Sequence, residues 1–199
     1  MSFIETPPSH RFPWYVRLFL ANQRRRYGRE LEPARLWGRT PRVFAGLSLL
    51  YGALDRKSSP LEPSLRTLVT VFVSRINWCA FCVDINSSLG LKRGLTAEHL
   101  ATLPDFEQSP LFDARTKAAL AYAEAMTRTE ARVDAALRAR LKEVFDDEAI
   151  VELTALVAFQ NLSSKFNAAL DVAPQGFCPA AAPGRMDVPG EGPSDRGAS

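Results

Sequence analysis

Residues 65–94 read LRTLVTVFVSRINWCAFCVDINSSLGLKRG, an apolar run followed by a segment that holds two of the three cysteines of the chain. The apolar run, residues 65–76, fits the repeat of a helix or of a strand. Asn77 then supplies a side-chain acceptor of the kind that begins a helix, and Gly94 is typical of the position after a helix end. We therefore predict a helix that is capped by Asn77 and ends at Arg93.

The two cysteines, Cys79 and Cys82, fall within the first turn and a half of this predicted helix, as its second and fifth residues. Unpaired backbone N–H groups and the positive end of the helix dipole favour a thiolate there, and can lower a cysteine pKa below its free value of about 8.5. By this argument Cys79 is the more ionised sulfur. Residues three apart on a helix share a face, so the two sulfurs can form a disulfide. The spacing predicts thiol redox chemistry.

Three other roles remain open for the pair. Cysteines are often small buried hydrophobic residues, and a permanent disulfide here would close a loop too short to add much stability. A zinc site needs about four ligands, and the other candidates, Cys178, His10 and His99, lack a ligand spacing. We therefore expect redox activity without a metal ion and without a cofactor.

Helix signals recur along the rest of the chain. Capping residues, prolines in first turns and apolar residues at helical spacing predict helices over residues 13–27, 40–54, 96–103, 113–127, 133–145 and 146–170. Residues 68–73 are the apolar run with strand character, and helix signals lie on both sides of it. The consistent prediction is an all-α fold, a single-domain helical bundle.

The composition changes after Asp171. Residues 174–199 contain many prolines and glycines and few large apolar residues. We therefore predict a helical domain over residues 1–173 and a disordered C-terminal tail over residues 174–199. Phe177 and Cys178 at the start of the tail are exceptions that can dock on the domain, where Cys178 could act as an additional resolving thiol.

Composition and charge exclude several function classes. The chain has 199 residues, 46% hydrophobic and 24% charged, which suits one globular domain. A formal net charge of +3 gives little reason to expect nucleic-acid binding. No segment approaches the ~18 apolar residues of a membrane span, and no signal peptide precedes the helices. The few cysteines suit a cytoplasmic location better than a disulfide framework.

Several segments together resemble the core of the carboxymuconolactone decarboxylase-like family, which includes the alkylhydroperoxidase D proteins. They are LEPSLRTLV at 61–69, VSRINWCAFCVD at 73–84, GLTAEHL at 94–100, AALAYAEAM at 118–126 and EAIVEL at 148–153. Further motifs resemble the N-terminal extension of a longer branch, namely PWYVR at 13–17, RRRYG at 24–28 and TPRV at 40–43. The resemblance extends from residue 12 to about residue 171.

This resemblance implies a helical bundle that assembles as a homo-oligomer and uses the cysteine pair to reduce a hydroperoxide or a protein disulfide. In the peroxidases of that family the second cysteine attacks and the first resolves, which assigns attack to Cys82 and resolution to Cys79. That order is the reverse of the one that the dipole argument favours. A thiol reductant of unknown identity would restore the reduced pair.

The chain departs from the resembled motif at its two acid–base positions. Asn86 stands where a histidine is expected, four residues after the second cysteine, and Thr67 stands where a glutamate is expected, twelve residues before the first. Neither side chain can act as a base near neutral pH. Asp84 is a substitute, but it lies roughly 200° around the helix from the second cysteine and can equally pair with Lys92 or Arg93.

Two function classes follow from these residues. The first is a thiol-dependent peroxidase or disulfide reductase that uses Cys79 and Cys82, weak as a peroxidase because its base is missing. His10 or His99 could supply that base in an oligomer. The second class is a non-redox member of the family that binds a small apolar molecule or serves as an oligomeric scaffold. Decarboxylation of a lactone acid is a weaker hypothesis, because the sequence lacks recognisable acid and base groups for that reaction.

Overall fold

The computed structural model of the protein describes residues 2–178, which form nine α-helices and no β-strand. In chain order the helices are α1 (Trp14–Tyr27), α2 (Glu32–Trp37), α3 (Pro41–Leu54), α4 (Pro63–Ile76), α5 (Ala80–Lys92), α6 (Ala97–Ala101), α7 (Ala114–Thr127), α8 (Ala135–Val144) and α9 (Asp147–Ala169). The predicted all-α helical bundle is confirmed. Within residues 2–178, no helix has the length and apolar character that crossing a bilayer requires.

Helix α4 occupies the centre of the bundle. It packs against α5, α7 and α9, and nearly every residue from Leu65 to Ser74 is buried. Because neighbouring helices surround it, α4 needs no polar face. This explains why the apolar residues at 65–76 fit the repeat of a helix and the repeat of a strand equally well.

The larger of two hydrophobic clusters, here called the main core, lies between α4, α7 and the first half of α9. Its fully buried members include Val69, Leu103, Leu120, Leu153 and Val157. Aromatic rings fill the gaps between these aliphatic side chains, as Phe72 does against Phe106 at 5.3 Å between ring centroids. All buried residues of the main core lie between residues 61 and 157.

The second cluster, here called the cysteine core, joins residues 12–44 and Val172 to the start of α5. Its buried members are Phe12, Val16, Leu20, Leu31, Ala34, Leu36, Phe44, Cys79, Phe81, Cys82 and Val172. Partly buried aromatic residues extend it, among them Trp37, which stacks on Phe166 with ring centroids 3.6 Å apart. Helices α1 and α2 therefore cover the cysteine segment.

Aspartates begin the last three helices. Asp113, Asp134 and Asp146 each accept a hydrogen bond at 2.8 Å from the backbone N–H three residues later. These bonds satisfy N–H groups that have no partner inside the helix. The predicted helix starts at Asp113 and Asp146 are confirmed, whereas the helix predicted from residue 133 begins after Asp134.

The first residues of the predicted tail lie against the domain. Phe177 packs edge-to-face on Tyr27 with ring centroids 5.9 Å apart, and Cys178 is buried. The predicted docking of Phe177 and Cys178 is confirmed. The remainder of the predicted tail, residues 179–199, lies outside the described residues.

Candidate redox site

The connection between α4 and α5 sets the position of the cysteine pair. Asn77 ends α4 and does not cap α5, which begins after Cys79. The Asn77 side-chain nitrogen instead donates to Asn161 Oδ1 at 2.8 Å and to Ser164 Oγ at 2.9 Å on α9. Trp78 has a backbone φ of 56°, in the left-handed region, and the chain reverses direction there. Cys79 is the N-cap of α5. The predicted cap at Asn77 is therefore wrong.

This shift places both cysteines nearer to the helix end than the sequence predicted. Cys79 precedes the first helical residue, and Cys82 is the third residue of α5 where the fifth was predicted. The Cys82 backbone N–H has no partner within the helix and donates to Cys79 Sγ at 3.1 Å. A sulfur that accepts this bond at a helix N-terminus is in a favourable place to carry negative charge.

The two cysteines form a disulfide, with their Cα atoms 5.2 Å apart. Cys79 is 1% exposed and Cys82 is 3% exposed. The neighbouring indole of Trp78 is 45% exposed. The two sulfurs are therefore buried beside an exposed side chain, in the apolar surroundings of the cysteine core.

Asn167 provides a polar contact to the disulfide that the sequence analysis missed. Its amide nitrogen, on α9, lies 3.2 Å from Cys82 Sγ and donates to it. Asn167 is 2% exposed, and its Oδ1 has no hydrogen-bond partner among residues 2–178. The two residues are 85 positions apart in sequence, so no local pattern could have paired them.

Thr67 and Asn86, the two positions that depart from the resembled motif, come together in the structure. Both line a cavity of about 40 Å³ that Asp55 and Arg93 also line, and neither cysteine is among its lining residues. A volume of this size holds one or a few water molecules. The structure therefore brings these two positions together, and both carry neutral side chains.

A charge network fixes Thr67 in this cavity. Arg93 donates from Nη1 to Thr67 Oγ1 at 3.0 Å and from Nη2 to the two Asp55 carboxylate oxygens at 2.7 and 2.8 Å. Thr67 in turn donates to the backbone oxygen of Pro63 at 2.8 Å. The predicted pairing of Asp84 with Arg93 is therefore wrong, since Asp55 is the partner of Arg93.

Asp84 anchors the C-terminal segment to α5. It is 3% exposed, and its two carboxylate oxygens accept the backbone N–H groups of Gln175 and Cys178 at 2.8 Å each. Carboxylate acceptors of this kind make strong hydrogen bonds. Both oxygens of Asp84 therefore hold the backbone of residues 175–178 against α5, and neither accepts a hydrogen bond from the cysteine pair.

The remaining candidates lie in other surroundings. His99 caps its own short helix, with Nδ1 at 2.7 Å from Thr96 Oγ1, and packs near the ring of Phe112. His10 is exposed in a 3₁₀ turn before α1. Cys178 is a buried free thiol. Among residues 2–178 no group of three or more histidine, cysteine, aspartate or glutamate side chains could hold a metal ion.

Comparison with known sequences finds relatives along most of the chain. A family model described as "Carboxymuconolactone decarboxylase family" matches residues 41–125. The uncharacterised protein YnjA of Escherichia coli (strain K12) is 44% identical over 172 residues, which is 86% of this chain and 94% of YnjA. The uncharacterised protein YdfG of Bacillus subtilis (strain 168) is 31% identical over 102 residues, which is 51% of this chain and 69% of YdfG.

Solved structures share the fold at lower identity. An alkylhydroperoxidase AhpD core structure, of an uncharacterised peroxidase-related protein from Ralstonia eutropha JMP134, aligns with a TM-score of 0.77 at 22% identity, over 88% of this chain and 94% of that one. The apo debrominase Bmp8 aligns with a TM-score of 0.73 at 18% identity, over 82% of this chain and 88% of that one. A cysteine-to-alanine variant of Bmp8 in complex with 2,3,4-tribromopyrrole gives 0.76 at 18% identity, over 91% and 96%.

Proposed function

The chain belongs to the carboxymuconolactone decarboxylase family, and from this premise we propose that it is a thiol-dependent oxidoreductase that reduces small hydroperoxides through Cys79 and Cys82. The observation that carries the proposal is the pairing of the two sulfurs at the N-terminus of α5. A cysteine pair that cycles between dithiol and disulfide can donate two electrons and recover them. A cytoplasmic location would supply a thiol reductant for the return step.

The proposed reaction uses the two sulfurs in order. The Cys82 thiolate attacks the outer peroxide oxygen, the O–O bond breaks, and the alkoxide leaves and takes a proton to become the alcohol. Cys82 is then a sulfenic acid. The Cys79 sulfur attacks Cys82 Sγ, the hydroxyl group leaves with a proton as water, and the disulfide forms. An external dithiol reduces the disulfide by exchange and restores both thiols.

Burial of the sulfurs favours a small oxidant over a protein disulfide. Cys79 and Cys82 are 1% and 3% exposed, so a folded partner protein could not reach either sulfur unless the cysteine core opened. A hydroperoxide needs only a narrow path. The surroundings also limit the rate, since Thr67 and Asn86 cannot take the thiol proton.

Counting thiols tests the proposal. The reduced protein is treated with one equivalent of hydrogen peroxide or tert-butyl hydroperoxide, and free thiols are measured by mass spectrometry after alkylation. We expect Cys79 and Cys82 to lose both thiols, with recovery after dithiothreitol, and we expect Cys178 to stay free. Cys178→Ser is the matched control and should behave like the wild type. Equal peroxide consumption by Cys82→Ser would contradict the proposal.

Restoring the expected acid–base pair sharpens the test. The double variant Asn86→His with Thr67→Glu places titratable groups at the two positions that the family motif uses. General acid–base catalysis contributes about 10²–10⁴-fold in enzymes, so we expect at least a tenfold gain in peroxide turnover. A wild-type rate already near ~10 per second would show that the missing base is unimportant.

The competing proposal is a non-redox protein that binds a small apolar molecule or serves as a scaffold. It predicts thiols that stay free, or a disulfide that stays closed, at every peroxide concentration. Bmp8, which shares the fold, is a debrominase with a solved complex of 2,3,4-tribromopyrrole, which makes a halogenated pyrrole a useful second probe for this chain. Binding of that probe without any thiol oxidation would favour the competing proposal.

We also propose that the chain assembles as a homo-oligomer. Several large apolar side chains are well exposed within residues 2–178, including Trp14 at 74%, Leu49 at 77% and Val151 at 68%. Burial of such side chains against a second copy would be favourable. Light scattering at micromolar concentration should give at least twice the 22.0 kDa monomer mass.

A further inference from the structure

The side-chain amide of Asn167 contacts the disulfide through its nitrogen and not through its oxygen. Its nitrogen donates to Cys82 Sγ at 3.2 Å. Its Oδ1 is buried without a hydrogen-bond donor among residues 2–178. An amide offers two N–H donors and an oxygen with two lone pairs, and a buried carbonyl oxygen without a donor destabilises the state that contains it. The oxidised form therefore leaves this amide incompletely satisfied.

Reduction changes what the two sulfurs can offer the amide. Opening the disulfide adds two electrons, and the pair then takes up one or two protons. A thiolate is a stronger hydrogen-bond acceptor than a disulfide sulfur, because charge strengthens such bonds. A thiol also brings an S–H donor, which the disulfide lacks. The Asn167 nitrogen can then donate more strongly to a Cys82 thiolate, and the reduced pair supplies the S–H donor that its oxygen lacks in the disulfide form.

We propose that Asn167 is a positioning residue that stabilises the reduced pair and selects Cys82 as the attacking thiolate. The inference rests on the proposed redox function and deepens it. It also accounts for the order of attack, because the dipole argument from the sequence favours Cys79, whereas the amide contact favours Cys82. Neutral Asn167 does this without titrating, unlike the histidine that Asn86 replaces.

The decisive variant is Asn167→Leu, which keeps the approximate size of the side chain and removes both polar ends. It relieves the unsatisfied oxygen in the disulfide form and removes the donor to the thiolate in the reduced form. Both effects shift the equilibrium towards the disulfide. In dithiothreitol redox buffers we expect about a tenfold shift, which is a fall of about 30 mV in the reduction potential of this two-electron couple.

A matched control lies on the same helix. Thr154 Oγ1 bonds to the Tyr122 hydroxyl at 2.8 Å and donates to the Ile150 backbone oxygen at 2.6 Å, at the end of α9 that packs in the main core. Thr154→Val should lower stability but leave the redox equilibrium constant unchanged. Asn167→Asp retains the shape but places a carboxylate beside the thiolate. In a Cys79→Ser background, this variant should slow the formation of the Cys82 sulfenic acid by hydroperoxide at least tenfold. The dimedone adduct of Cys82 measures that rate.

The outcomes separate the two proposals. A wild-type pair that never cycles in redox buffers would overturn the proposed function and this inference together. A pair that cycles, with the same equilibrium constant in Asn167→Leu, would overturn this inference alone. If Asn167→Leu does not fold, the Asn167 side-chain amide is followed by NMR in the wild type. Its two N–H resonances should move on reduction, and identical resonances in both states would overturn the inference.

Discussion

The main core and the cysteine core differ in how far apart along the chain their residues lie. The main core draws on residues 61–157 and holds the central helix α4 in place. The cysteine core joins α1, α2 and the C-terminal segment to the start of α5. Many of the residues that cover the cysteines lie outside residues 41–125, the region that the family model matches. The packing around α4 and the surroundings of the disulfide thus belong largely to separate side-chain clusters.

Helix α9 is the element that links the two cores. Its first half contributes Leu153 and Val157 to the main core, and its last turns bring Phe166 and Asn167 to the cysteine core. The same rigid helix therefore carries packing at one end and a polar contact to the sulfur at the other. If the cores are separable, the same substitution in each should have different consequences for the cysteines.

The largest loss of stability is expected from Leu120→Ala in the main core. Leu120 is fully buried, and truncation of such a leucine removes apolar burial and leaves a cavity, at a cost of about 3–5 kcal/mol. Urea unfolding followed by circular dichroism measures this loss. The rate at which the reduced cysteines react with an aromatic disulfide reagent should stay as in the wild type. A change in that rate beyond twofold would show that the cores are coupled.

The matched substitution in the cysteine core is Leu20→Ala. Leu20 is fully buried on α1, but α1 lies at the periphery of the bundle, so we expect a smaller loss of about 2–3 kcal/mol. Because Leu20 belongs to the cluster that covers the sulfurs, the reaction of the reduced cysteines with the same reagent should accelerate several-fold. Equal rates in Leu20→Ala and Leu120→Ala would remove the distinction between the two cores.

Most of the fold could be predicted from the sequence because its signals are local. Proline in first turns, aspartate caps and apolar spacing are read within a few residues, and they located α1, α3, α7 and α9 closely. The junction at Asn77 was mispredicted for a non-local reason. A good N-cap residue was present, but its amide is used by Asn161 and Ser164 on α9, and the chain turns at Trp78 before Cys79 begins the helix.

The candidate site was only partly predictable for the same reason. The spacing of Cys79 and Cys82 indicated a pair that can bond, and the pair is bonded. The contact from Asn167 and the role of Asp84 depend on segments more than 80 residues away. The helical angle between the two residues predicted that Asp84 faces away from Cys82. No local pattern indicated that the backbone N–H groups of residues 175 and 178 would donate to its carboxylate.

A smaller effect is expected at Asp84, which anchors the C-terminal segment over the cysteine core. Asp84→Asn removes the charge from two hydrogen bonds and leaves one backbone N–H facing an amide nitrogen, at a cost of about 2 kcal/mol. Hydrogen exchange should show at least tenfold faster exchange at the amides of Gln175 and Cys178. Asp105→Asn, at an exposed position of a 3₁₀ turn, is the control and should leave both amides protected.

The smallest effect is expected at Asp113, which caps α7 beside the main core. Its hydrogen bonds to Thr116 hold the pKa of the Asp113 carboxyl below its ordinary value of 3.8, because they stabilise the charged form. Since the folded-state pKa is the lower one, the unfolded chain binds more protons at acidic pH, and this contribution to stability is present above pH 3.8 and lost as the pH falls through the folded-state pKa.

Asp113→Ala should cost about 1 kcal/mol at pH 7. Asp113→Asn keeps an acceptor for the Thr116 N–H and should cost less at pH 7, and it should flatten the acid dependence of stability in urea titrations between pH 5 and about 3. Both variants should leave the redox equilibrium of Cys79 and Cys82 unchanged, because Asp113 caps a helix of the main core. A shift of that equilibrium in either variant would show that the stability of the main core affects the cysteine pair.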